Sequence, residues 1–182
     1  ELLNSQVDRC NEILKRLTLN PVEEDEFIDK DINIRDYLHE IISSFKEISK
    51  KEFVFNFDQD SNQKKISKSI EIVYGLRNFI GNANKFAKNS IFINLKSDSE
   101  FTELTVEDDG NGYPRDIISK IGEPYLKSNY SKDKSKEGLG LGLFIGKTLL
   151  EKNFASVNCR NSKTRTGAEV IIRWKNKELF NI

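Results

Sequence analysis

The run Gly138-Leu139-Gly140-Leu141-Gly142-Leu143 constrains this chain more than any other feature. Three glycines alternate with three leucines, and the run passes directly into Phe144-Ile145-Gly146-Lys147-Thr148-Leu149-Leu150, a segment with the composition of a helix. Glycine lets the backbone turn its N–H groups toward a ligand. The first turn of a helix leaves N–H groups unpaired, so the junction favours an anion, phosphate above all. A flexible hinge is the plainer alternative, but a strict Gly-Leu alternation opening a helix is unusual for one. No Gly-Lys-Ser/Thr follows the glycines, and the spacing is not that of the dinucleotide fingerprint.

Two further segments carry chemistry. In Asn78-Phe79-Ile80-Gly81-Asn82-Ala83-Asn84-Lys85-Phe86, the residues Asn78, Asn82 and Lys85 stand at i, i+4 and i+7 and share one helical face. An amide oxygen is a hard neutral ligand that suits Mg²⁺, and Lys85 adds a positive charge for phosphate. A solvated Asn-rich face fits the helix equally well when it is taken alone. Asp108-Asp109-Gly110-Asn111-Gly112 closes the strand-like Glu103-Leu104-Thr105-Val106-Glu107. A carboxylate at a strand end can accept from an exocyclic amine such as adenine's, and Gly110 and Gly112 allow close backbone approach. On its own this segment reads equally as a plain Asp-Gly turn.

The rest of the chain supplies a scaffold. Residues 2–19 have an apolar stripe of Leu2, Leu3, Val7, Cys10, Ile13, Leu14 and Leu17 at helical spacing, ended by Asn20-Pro21. The acidic run Glu23-Glu24-Asp25-Glu26 reads as a linker. A short strand is expected at 32–34 and a helix at 35–49, with Tyr37, Leu38, Ile41, Ile42, Phe45 and Ile48 inward. Phe53, Phe55 and Phe57 alternate as in a half-buried strand. A long helix follows at 68–87, with Ile70, Ile72, Val73, Leu76, Phe79, Ile80 and Ala83 apolar, then strands at 90–97 and 101–108. A short helix runs from Pro114 to near Gly122. Residues 126–137 lack a buried face and read as a mobile loop. A helix at about 140–152 and strands at 156–161 and 167–174 complete the chain. This order predicts an α/β (α+β) sandwich of two layers, a mixed sheet with helices on one face.

Composition removes some functions. The 29 basic and 29 acidic residues cancel, so no basic excess is available to neutralise the phosphates of a nucleic acid. The two cysteines, Cys10 and Cys159, form neither a metal-ligand pattern nor a disulfide framework, which points to a reduced cytoplasmic setting. No apolar run has the length of a membrane span. The chain begins at Glu1 and contains no Met, which reads as a fragment of a longer protein whose anchor, if it has one, lies in a missing N-terminal part.

In order and spacing the three segments resemble the N, G1 and G2 boxes of the GHKL ATPase superfamily, and within it the sensor histidine kinases. Asp108 follows Asn82 by 26 residues and Gly138 follows Asp108 by 30. Between them Gly122-Glu123-Pro124-Tyr125-Leu126-Lys127 looks like the F box that opens the ATP lid. The match covers about residues 30–175. It implies the Bergerat fold, with ATP and Mg²⁺ held between a helix and the lid. Asn82 would be the Mg²⁺ ligand, assisted by Asn78, with Lys85 on phosphate and Phe86 beside the base. Asp108 would read the adenine amine, and Gly110, Gly112 and Tyr125 would border the pocket. Gly138, Gly140 and Gly142 would present phosphate-facing amides, with Leu139 among the residues binding the nucleotide and Leu141 and Leu143 anchoring the lid hinge, and Lys127 would meet the γ-phosphate. Asn78, Lys85 and Lys127 would be the residues closest to the chemistry.

A narrower similarity, to redox-responsive kinases of the RegB/PrrB type, covers residues 5–14, 122–125 and 143–151. It implies that residues 1–20 end a dimerisation and phosphotransfer hairpin, 21–30 are the linker, and 31–182 are the ATP domain. It also makes Cys10 a redox candidate, although a free cysteine serves as often as a small buried hydrophobe. The partners implied are the histidine helix of the same protein or a dimer mate and a response regulator, in a homodimeric bacterial inner-membrane parent. Two departures stand out: Thr166-Gly167-Ala168 has Ala where many kinases have Thr, and Asn153-Phe154-Ala155 replaces the glycine that often ends the helix after the G2 box. His39, the one histidine, lacks the usual downstream proline and reads as a surface residue of the ATP domain. Asn78 matters for the rivals. Hydrolytic relatives such as Hsp90, gyrase and MutL carry Glu there, and an amide cannot accept a proton from water. A GHKL ATPase and a non-catalytic binding or dimerisation module are the alternatives.

Overall fold

The structure, a computed structural model, describes residues 31–58, 65–67, 69–126 and 140–179. The chain enters through β1 (Asp31–Asn33) and passes straight into α1 (Ile34–Lys46). It continues through β2 (Glu52–Phe57), β3 (Lys65–Ser67), α2 (Ile70–Phe86), β4 (Ser90–Ser97), β5 (Phe101–Asp108) and the single turn α3 (Arg115–Ile118). Then follow α4 (Gly142–Lys152), β6 (Ser156–Asn161), β7 (Ala168–Lys175) and α5 (Asn176–Leu179). The main sheet has the order β2-β4-β5-β7-β6, with β2 parallel to β4 and all other neighbours antiparallel. β1 and β3 form a separate antiparallel pair. The expected mixed sheet with helices on one face is therefore observed.

Strand periodicity decides which face is covered. Ile91, Ile93 and Leu95 of β4, Leu104 and Val106 of β5, and Val170, Ile172 and Trp174 of β7 are buried at every second position. Against them lie Leu38, Ile42, Ile72, Leu76, Phe79 and Ile80 from α1 and α2. The same alternation carries Asp108, last residue of β5, onto the helix-covered face. Glu107 points the other way, where it pairs with Arg165 at 2.8 Å beneath a guanidinium stacked on Phe92.

Two glycines set the distance between α2 and α4. A Cβ on Gly75 would sit 2.7 Å from Leu150, and one on Gly146 would sit 3.0 Å from Phe79. The helix that bears the two asparagines and the helix opened by the glycine run are thus in backbone-close contact. Asn33 caps α1 by accepting from the Arg35 N–H at 2.9 Å, and Ser69 caps α2 by accepting from that of Ile72.

Several elements differ from expectation. Ile34 starts a helix instead of ending a strand. α1 stops at Lys46, because the N–H groups of Ile48 and Ser49 both turn back to the Phe45 carbonyl, and Ile48 is left 80% exposed. Ile70 sits in the first turn of α2 and is partly exposed. Phe55 and Phe57 are only half-buried, covered at the sheet edge by His39, Lys46 and Arg35. The helix after Pro114 is one turn long. β3 and α5, three and four residues long, are too short for periodicity to reveal. The expected helix at 2–19 and the linker after it lie outside the described residues.

Phe154 ends α4 with φ +61° and a side chain 61% exposed. A left-handed conformation costs a side-chain-bearing residue about 1–2 kcal/mol and glycine almost nothing. Phe154→Gly should therefore raise stability by about 0.5–1 kcal/mol after the added chain entropy of glycine is deducted. Urea unfolding would show a higher midpoint at unchanged slope; a lower midpoint would mean that the exposed ring makes a compensating contact.

Candidate functional site

The site begins with Asp108, only 3% exposed at the inner end of β5. Its Oδ1 accepts from the N–H of Gly110 at 2.7 Å and from that of Ala168 at 3.3 Å. Both donors address the same oxygen, so among the described residues Oδ2 is left for another donor. Burial pushes the carboxyl above its ordinary range, and the two amides only partly offset this. A buried carboxylate with one oxygen held by the backbone is a fixed, directional acceptor.

Asp109 beside it has the opposite character. Burial pushes it upward, but the backbone N–H groups of Asn89, Ser90 and Lys88 together bring it below the usual carboxylate range. Its Oδ1 takes the Lys88 N–H at 2.7 Å and its two oxygens share that of Asn89 at 3.0 Å. Asp109 therefore ties the end of α2 to the end of β5, and Asp108 remains for the site. The turn continues through Gly112, whose φ of +74° suits glycine, to Tyr113, which is buried.

On α2, Asn78 and Asn82 are half-buried on one face and Lys85 is exposed one turn on. The Asn78 amide is oriented, because its Nδ2 donates to the Tyr74 carbonyl at 2.8 Å. That leaves Oδ1 facing the start of α4, 3.4 Å from where a Cβ on Gly142 would stand. The Lys85 ammonium lies 5.4 Å from the ring centre of Phe86, which is 43% exposed. Leu141 caps α4, with its carbonyl accepting from the Ile145 N–H at 2.9 Å, and Leu143 packs against the core. Gly140 has φ +70°, and a side chain there would collide with the backbone of Leu126. The residues on either side of segment 127–139 thus meet. Tyr125 is 70% exposed with φ +61°. Lys127, Gly138 and Leu139 lie outside the described residues, as does Cys10.

The groups available are a buried carboxylate acceptor by the C-terminal end of α2, an oriented amide oxygen beside the start of α4, and an exposed lysine on the asparagine face of α2. Among the described residues no group of three His, Cys, Asp or Glu side chains comes together. A divalent ion here would take amide and phosphate oxygens, the donor set that Mg²⁺ accepts.

Comparison with known proteins agrees with this geometry. Residues 67–178 match the family described as histidine kinase-, DNA gyrase B-, and HSP90-like ATPases. The chain belongs to this family. Among curated relatives it is 32% identical over 173 residues to the sensor histidine kinase RegB of Cereibacter sphaeroides, covering 89% of this chain and 36% of RegB. It therefore spans about a third of that relative's length. Among solved structures it resembles the catalytic domain of histidine kinase ThkA at TM-score 0.66 and 20% identity, covering 82% of this chain and 97% of that one. The mycobacterial sensor histidine kinase MprB gives 0.64 and 17%, covering 81% and 97%. The fold is that of histidine kinase catalytic domains.

Sequence reasoning overlooked two contributors. Ala168 reaches Asp108 through its backbone N–H, so the replacement of a threonine side chain there leaves this contact intact. Asn161 holds Tyr113 from 48 positions away, and no local pattern signals that contact. His39 is exposed on α1 and packs on Phe55 at 4.6 Å between ring centres, a surface position as expected.

The paired aspartates yield opposite predictions. Asp108 keeps its proton to higher pH when folded than when unfolded, so stability falls as pH rises through that window. Asp109 contributes stability that is present above the ordinary carboxylate pKa and lost as pH falls toward its depressed value. Asp108→Asn should raise the melting temperature at neutral pH, and Asp109→Asn should lower stability by about 1 kcal/mol. Both differences should shrink in acid. Thermal melts across pH check this; destabilisation of the fold by Asp108→Asn at neutral pH would contradict it.

Proposed function

We propose that this chain is the ATP-binding catalytic part of a two-component sensor histidine kinase. It positions Mg·ATP for transfer of the γ-phosphoryl group to a histidine on another segment of the protein or on a dimer mate, from which a response regulator takes it. What supports the reading is what α2 carries: the buried Asp108 acceptor lies by its C-terminal end, and its oriented Asn78 amide faces the glycine opening of α4.

Each residue has a part that follows from its chemistry. Asp108 accepts from the base amine and fixes the base. Asn82, with Asn78 one turn earlier, would hold Mg²⁺, which when bound neutralises phosphate charge. Lys85 adds positive charge at the phosphate end of the same face, and Lys127 would do so from the lid. The backbone amides of Gly138, Gly140 and Gly142 would bind phosphate oxygens at the start of α4. The contribution of such a site is positioning and charge neutralisation, with little covalent chemistry of its own. Asn78 argues against hydrolysis, because its amide cannot take a proton from water.

The proposed parent is homodimeric, with residues 1–20 as the end of its phosphotransfer hairpin, 21–30 as linker and this chain on the cytoplasmic side of a bacterial inner membrane. Among the described residues no helix is long and apolar enough to cross a membrane. A redox role for Cys10 rests on the similarity to RegB alone. A Cys10-dependent dimer band on a non-reducing gel of the parent under oxidant would support it, and its absence would end it.

Calorimetric titration with a non-hydrolysable ATP analogue tests the core of the reading. Binding should strengthen when Mg²⁺ is added, and Asn82→Ala should abolish that Mg²⁺ dependence while leaving metal-free binding within about twofold, a difference of ~0.4 kcal/mol. Identical curves for the variant and the parent chain would remove Asn82 from the metal site.

A further inference from the structure

Tyr113 stands at the far end of the turn that begins at Asp108, beyond the point where ordinary sheet pairing stops. The β5–β7 ladder ends with Glu107 opposite Glu169, so strand bonds do not hold the backbone of Tyr113. A side chain holds it instead. Asn161 Oδ1 accepts the Tyr113 N–H at 2.6 Å, and Asn161 Nδ2 donates to the Tyr113 carbonyl at 3.1 Å. Only an amide can do both from one short side chain, since a carboxylate has no donor and a hydroxyl has one short arm. The Tyr113 ring is buried as well, and Cys159 on β6 packs against the same core. Cys159 and Asn161 are two residues apart on β6 and share a face. Burial pushes the Cys159 thiol up to about 11.

Register adds a second relation. Asn161 and Ala168 are direct cross-strand partners in the β6–β7 pair. One pair of facing residues therefore holds both ends of the turn: the Ala168 N–H holds Asp108 and the Asn161 amide holds Tyr113. The fit leaves no slack, since a Cβ on Gly112 would stand 2.6 Å from Asn161 Oδ1. Neighbouring contacts tie the hairpin down further. The Ser162 hydroxyl and the Arg165 guanidinium both reach Glu107, and the Thr166 hydroxyl donates to the Asp109 carbonyl at 3.4 Å.

We infer that the loop end of the β6–β7 hairpin is a two-point clamp on the base-reading turn, and that Asn161 is a positioning residue that sets affinity for the nucleotide base. Asn161 acts through Tyr113 and Gly112, with no contact of its own to phosphate. The inference rests on the nucleotide reading given above and adds to it a specificity-determining residue.

Two ligands separate the clamp from general stability. The chain and its Asn161→Ser variant are titrated, with Mg²⁺, against a non-hydrolysable ATP analogue and against inorganic triphosphate. Loss of the two hydrogen bonds should weaken the ATP analogue about tenfold or more, while triphosphate binding changes less than about twofold. Asn161→Asp keeps the size and the acceptor and loses the donor, so it should show the same split with a smaller loss, and it serves if the serine variant fails to fold. Equal losses for both ligands, or no loss for either, in a chain that binds both would overturn the clamp alone. An unmodified chain that binds neither ligand would overturn the nucleotide reading and the clamp with it.

Discussion

A carboxylate taken out of water is the constraint on which this structure depends. Asp108 lies on the same inward face as Leu104 and Val106, under α2, where an ionised group is unfavourable unless it is held. The surrounding structure supplies that hold from the backbone: the turn through Gly110 delivers one N–H and the start of β7 delivers another. Asp109 then locks the end of α2 to the same turn. One inward-pointing acid thus explains why the end of β5, the glycine turn, the start of β7 and the end of α2 converge. A group kept in a costly state is a sign of use, because a purely structural position would be filled more stably by an apolar residue or an amide.

The second constraint is the close contact of α2 with α4. Gly75 and Gly146 remove the side chains that would hold the helices apart, and Leu150 fills the space between them. The result is that the Asn78 amide faces the first turn of α4, so an oriented oxygen and the unpaired N–H groups of a helix start lie side by side. Phosphate and its cation need both at once. Two helices and a strand end are thus the elements that frame the candidate site.

Much of this was legible in the sequence because the informative signals are local. β4 and β5 match their alternating apolar pattern to the residue, and α2 follows its 3.6-residue stripe from a serine cap. The three candidate segments are legible because each joins a special backbone need to a chemical group: glycines before a helix, a carboxylate before a glycine turn, amides one helical turn apart. What was not legible depends on register. The pairing of Asn161 with Ala168 places an asparagine beside a tyrosine 48 positions earlier, and only the assembled sheet reveals that. Ile48 was misread because a backbone turn at Phe45 ended its helix early, an event that apolar spacing does not encode. The alternation of Phe53, Phe55 and Phe57 marks the strand, but not that an edge strand with a cationic and aromatic cover buries only part of the Phe55 and Phe57 rings.

The account's central claim is that Asp108 reads an exocyclic amine. The direct test is the ratio of affinities for a non-hydrolysable ATP analogue and the matching inosine analogue, in which that amine is replaced by a carbonyl oxygen. The chain should prefer the adenine ligand by about tenfold or more, the value of one hydrogen bond to a charged acceptor. In Asp108→Asn the preference should collapse or reverse, because the amide oxygen stays on the Gly110 and Ala168 N–H groups and the NH2 that then faces the base cannot accept from an amine. A ratio that is the same in both proteins would show that Asp108 does not read the base.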